Sequence, residues 1–109
     1  MNNITTITLA GQEYQGKLDF MTLARVQSAC FKEGYRLTTE EIFKEAQSEN
    51  LTVILEIVIQ SILRMYPQIK RYQIEDKLSL EEFGTVVSFL EKLFETSLPK
   101  EEEAEEVQG

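Results

Sequence analysis

Residues 51–66 constrain this chain more than any other stretch: a segment apolar on nearly every side, bounded by Asn50 and Pro67. Leucine, isoleucine, valine and methionine fill it, leaving Thr52, Glu56, Gln60 and Arg64 as a polar stripe at steps of four. A helix covered in this way belongs at the centre of a fold, not at its surface. The β-branched content competes for a buried strand, but the distance from cap to proline is too long for one. We read a helix from the Asn50 cap to about Tyr66, with Glu56, Gln60 and Arg64 bonding along its stripe.

Something must cover that helix. Two β-rich runs, 4–9 and 13–18, flank Ala10-Gly11-Gln12, where Gly11 supplies the positive φ of a tight reversal. An isolated ribbon is marginal in water, so the hairpin is expected to lie on the helices that follow. Asp19 then caps a helix to about Lys32, with Phe20, Leu23, Ala24, Gln27 and Cys30/Phe31 as its core-facing side and Gly34 as its stop. Thr38 and Glu41 form a capping box for a short helix whose apolar face is thin: Ile42, Phe43 and Ala46. After Pro67 comes a connection with a turn of helix near Ile69–Tyr72. Ser79 and Glu82 form another capping box, opening a last helix with Leu80, Phe83, Val86/Val87, Leu90 and Leu93/Phe94 on one face.

The expected fold is thus α+β and mostly α: an N-terminal hairpin packed on a bundle of about four helices, in one domain over 1–98. Residues 99–109 are expected to be a disordered acidic tail. Five glutamates against one lysine put half of the net charge of −8 on residues 100–109.

Charge and composition narrow the chemistry. An acidic balance argues against a duplex-binding surface, and no nucleic-acid partner is expected. The cluster Lys70-Arg71-Tyr72 reads better as a solvated loop or a resting place for the acidic tail. Val53–Leu63, the longest apolar run, is interrupted by Glu56, Gln60 and Ser61, so no membrane span is expected. With no basic, apolar start and a single cysteine, Cys30, the expected setting is a reducing cytoplasm. The chain has no histidine, which removes the commonest general base and metal ligand. Cys30 reads as a core residue; of the acidic pairs Glu40-Glu41, Glu75-Asp76 and Glu81-Glu82 none forms a facing dyad, and two open helices. No catalytic residue, metal site or cofactor is expected.

The opening I-T-L-A-G-Q-E-Y, the passage K-L-D-F-x-x-L-A (Lys17, Leu18, Asp19, Phe20, Leu23, Ala24) and the helix end E-G-Y (Glu33, Gly34, Tyr35) resemble a family. It is that of the tail assembly chaperones of siphophages and prophages of Gram-positive bacteria. The apolar third helix and the final helix running into a charged tail complete the resemblance, which spans residues 4–98. It implies a non-enzymatic role in virion morphogenesis: binding the tape measure protein and helping to recruit tail tube subunits. It also implies that the C-terminal tail is a junction where a frameshift adds a longer domain. A homo-oligomer is expected from the family and from the uneven apolar coverage of the last helix.

Two other readings stay open at this point: a small structural virion component of the tail or head, and a host adaptor or regulator. For client contact the sequence nominates the hairpin edge and the thin second helix, which are elements of low stability. The side chains nominated are Tyr14, Tyr35, Phe43 and Phe89: a tyrosine that can anchor an interface, and aromatics not required by the core faces.

Overall fold

In the computed structural model, which describes residues 4–97, β1 (Ile4–Leu9) and β2 (Gln12–Lys17) form an antiparallel hairpin. Its loop has two residues, not the three expected. Ala10 and Gly11 take φ of 50° and 80°, the paired left-handed geometry that follows the natural twist of the strands. This sets Leu9 opposite Gln12 and Ile7 opposite Tyr14. Alternation then buries Thr5, Ile7, Leu9, Tyr14 and Gly16, while Thr6, Thr8, Glu13 and Gln15 face outward.

Five helices follow: α1 (Phe20–Lys32), α2 (Thr39–Gln47), α3 (Leu51–Met65), α4 (Arg71–Glu75) and α5 (Phe83–Ser97), the last entered through a 3₁₀ turn at Leu80–Glu82. The mostly α, hairpin-plus-helices fold is therefore the one found. α3 is its axle: β2, α1, α2, α4 and α5 all pack against it, and β1 lies along α5. Ile54, Ile57, Val58, Ile59 and Ile62 are buried around it. The expected acidic tail lies outside the described residues.

Local chemistry sets most of the helix ends. Asp19 accepts from the Thr22 amide at 3.0 Å, and Asn50 from the Val53 amide at 3.3 Å. The Thr38/Glu41 capping box is complete, at 2.8 and 3.1 Å. The one expected at Ser79 is not formed, because Glu82 turns away to accept from the Ala10 amide of the hairpin turn at 3.0 Å. That bond fastens the start of α5 to the tip of the hairpin. Thr5 and Thr96 hydroxyls meet at 3.3 Å, so α5 runs antiparallel to β1.

Two ion pairs pin the helices around α3. Arg64 reaches across to Asp19, not along its own stripe, with guanidinium–carboxylate distances of 2.9–3.2 Å. Burial alone would raise the Asp19 carboxyl; hydrogen bonds from the Thr22 amide, Arg64 and the Thr22 hydroxyl lower it from 3.8 to about 2. Glu56 is buried and holds both terminal guanidinium nitrogens of Arg71, which α4 delivers; Arg71 Nε donates to Glu75 at 2.6 Å. The Glu56 bonds, followed by that from Glu75, hold Arg71 more firmly in its charged form.

Candidate functional site: the uncovered face of α1

α1 carries apolar side chains on two sides. Thr22, Val26 and Cys30 are buried on the side toward α3, with Leu23 and Ala29 partly so. The Thr22 hydroxyl donates to the Lys17 carbonyl at 2.7 Å, and Asp19 is gripped by Arg64. These two anchors fix the rotation of the helix about its axis. They correct the expected core face: Phe20, Ala24, Gln27 and Phe31 point away from α3 and are exposed, Phe20 to 89% and Phe31 to 57%. Spaced at i, i+4, i+7 and i+11, they form one stripe about 16 Å long.

The segment after α1 shapes the end of this stripe. Gly34, at φ +99°, reverses the chain through a Schellman cap, in which Tyr35 N–H bonds the Cys30 carbonyl at 2.8 Å. The returning segment then lies beside the helix: Gln27 donates to the Leu37 carbonyl at 2.7 Å, and the Arg36 guanidinium sits 5.2 Å from the centre of the Phe31 ring. Ala24, Gln27, Ser28, Phe31, Arg36 and Leu37 line a shallow, open depression of ≈ 360 Å³. An exposed aromatic flanked by a depression of this kind is how helix-in-groove interfaces anchor a partner.

The nominated contact residues are scattered by the fold. Tyr14 is only 6% exposed, because the two-residue turn pairs it with Ile7 on the inner face, where its ring meets Tyr66 edge-on at 5.9 Å. Phe89 is 3% exposed, with its ring seated over Gly16 and beside Ser61. Both belong to the core and are withdrawn as contact residues. Tyr35 is part-exposed just beyond α1, at the end of the stripe. Phe43 is half-buried and packs edge-on against Phe94 at 5.2 Å. Sequence reasoning missed Phe20 and Phe31 as surface residues, since their spacing fits a core face equally well.

The hairpin edge is also open. Counting from the Leu9–Gln12 pair, the main-chain groups of Thr6 and Thr8 point outward. Neither has a hydrogen-bond partner among the described residues. A cleft of ≈ 810 Å³ runs there, walled by Gly84, Thr85, Ser88 and Lys92 of α5. On the other strand, the Gln15 amide is taken by the Tyr66 hydroxyl at 3.1 Å.

The groups with reactive potential are committed to structure. Burial, helped by Glu56 and Glu33, pushes the Cys30 thiol up and keeps it protonated. Glu56 is taken by Arg71, and no cluster of three metal-ligating side chains occurs among the described residues. Among these residues, no helix is long and apolar enough to cross a membrane. Comparison of the chain with known protein families, with curated proteins and with solved structures finds no significant match.

Proposed function

We propose that this protein is a non-enzymatic tail assembly chaperone of a phage or prophage, holding the tape measure protein and helping to bring in tail tube subunits. One observation carries the reading: α1 uses one apolar side to build the domain and offers Phe20, Ala24 and Phe31 on the other. A holdase needs accessible apolar surface together with enough like charge to keep its complexes dispersed, and the chain carries a net charge of −8. The resemblance in Lys17–Ala24 and Glu33–Tyr35 falls on this same helix and its end.

In mechanism, Phe20 and Phe31 seat on apolar stretches of the client and Tyr35 adds a polar-tipped aromatic at the margin. The depression beside Phe31 takes a client side chain. The double variant Phe20→Asp/Phe31→Asp tests this. It should keep the circular dichroism of the native chain, because both side chains are exposed, and lose co-solubilisation of a tape measure fragment. Undiminished co-solubilisation by a folded double variant refutes the assignment of this face. Mass spectrometry of finished virions from the source phage tests the role itself, since a chaperone is expected to be missing and a structural subunit present in fixed ratio.

A further inference from the structure

We infer a second docking site, separate from the α1 stripe: the cleft between the α2–α3 junction and α5, which takes a basic amphipathic helix. Its volume is ≈ 440 Å³, and its lining is mainly apolar, with Ala46 and Ile54 on one side and Val87, Leu90 and Phe94 on the other. Phe43 backs the Phe94 wall. Gln47, Glu49 and Glu91 complete the lining, and no lysine or arginine lines it among the described residues.

Charge decides the occupant. A second copy of this chain brings a net charge of −8, and the chain's own C-terminal residues bring five glutamates, so both are repelled by Glu49 and Glu91. A partner helix with leucine-like side chains flanked by Lys or Arg satisfies the apolar lining and the acidic rim together. The walls are themselves helices, and the cleft has room for a partner's side-chain knobs.

The backbone at Glu49 agrees. α2 ends in a Schellman cap, with Asn50 N–H on the Glu45 carbonyl at 2.9 Å and Glu49 N–H on the Ala46 carbonyl at 3.1 Å. The residue in the left-handed position is Glu49, at φ +64°, where glycine is the comfortable choice. A charged side chain is thus held at the rim against its conformational preference, as residues kept for binding often are.

The probe is a labelled 18-residue Leu/Lys amphipathic helix, with its Leu/Glu counterpart as control, titrated against the full chain by fluorescence anisotropy. The lysine peptide should bind and the glutamate peptide should not. Glu49→Gly with Glu91→Lys should weaken binding at least about fivefold, and added salt should weaken the native complex. Val87→Trp, which plugs the cleft from a half-exposed position, should abolish binding while thermal unfolding stays cooperative. Equal binding of both peptides, or binding untouched by these variants, overturns the inference. So does a native dimer in ultracentrifugation that Val87→Trp dissociates, because a second copy would then be the occupant. Binding lost in Val87→Trp but kept in Phe20→Asp/Phe31→Asp places the peptide in the cleft; binding lost in Phe20→Asp/Phe31→Asp and kept in Val87→Trp places it on the α1 stripe and overturns the inference.

Discussion

Two places beside α3 are packed to opposite standards, the contact of Gly16 with Phe89 and the gap between α2 and α5, although the outer edge of the hairpin fronts the ≈ 810 Å³ cleft along α5. On the hairpin side the chain comes so close that a methyl group at Gly16 would lie 2.6 Å from the Phe89 ring and 2.9 Å from the Ser61 hydroxyl. On the α2 side, a cleft of ≈ 440 Å³ separates Ile54 from Leu90 and Phe94. Interiors normally close to crystal-like density, and a core that achieves this on one side is able to do so on the other. The difference sets a close-packed contact against the room in which we place the partner helix. The hairpin, α3 and α5 make the frame; α2 is a thin flap whose half-buried Phe43 rests on Phe94.

The sharpest way to break this comparison is to cut an aromatic from each side. Phe89→Ala should cost about 3–5 kcal/mol, because the ring is enclosed and its loss leaves a cavity that the hairpin cannot collapse. Phe43→Ala, at the margin of an open cleft, should cost about 1–2 kcal/mol, since water already reaches that side. Urea unfolding of the two variants checks the ratio. Equal costs would mean that the α2 side is as closed as the hairpin side.

Adding volume probes the same asymmetry from the other direction. Gly16→Ala should destabilise by about 1–3 kcal/mol through overpacking. Phe89→Leu shortens the ring's reach toward that methyl, so the double variant should recover part of the loss. A positive coupling in this double-mutant cycle assigns the cost to the Gly16–Phe89 approach; strict additivity assigns it to strand propensity instead.

Local and distant determinants explain what was legible in the sequence. Asp19, Thr38 with Glu41, and Asn50 act within three residues of themselves, and each cap forms as its spacing predicts. Tyr14 and Phe89 are different, because their burial depends on partners far along the chain. A turn of two residues in place of three moves Tyr14 onto the inner face, and Gly16 makes the space that Phe89 fills. Glu82 had a good local partner in Ser79 and took a distant one in Ala10. Arg64 did the same with Asp19. The α1 stripe was visible as a pattern, yet which of its two apolar sides stays uncovered is decided by anchors 5 and 45 residues away.

Those anchors are testable through pH. The Asp19 carboxylate falls from 3.8 to about 2 on folding, so its contribution is complete above the unfolded value and disappears as pH drops through the folded one. About 2 kcal/mol of stability should be lost between roughly pH 4.5 and 2. Asp19→Asn keeps an N-cap but loses the charge, and should be less stable than the native chain at pH 7 yet show a shallower decline over that window. A parallel decline in the variant would place the titrating group elsewhere.

The smallest effect has the opposite sign. α1 and α2 end in the same hydrogen-bonded cap, but α1 places Gly34 at φ +99° in the left-handed position and α2 places Glu49 there at φ +64°. A side chain in that conformation is disfavoured by about 1 kcal/mol relative to glycine, so Glu49→Gly should stabilise the domain by roughly that amount. The gain in unfolded-chain freedom that glycine brings offsets part of it, which sets the expected rise in Tm at a few degrees. Gly34→Glu, the reciprocal change on the α1 side, should destabilise by a similar amount. If Glu49→Gly lowers Tm instead, its carboxylate stabilises the folded domain itself, and the α2 side is held together by a contact that an open flap would not possess.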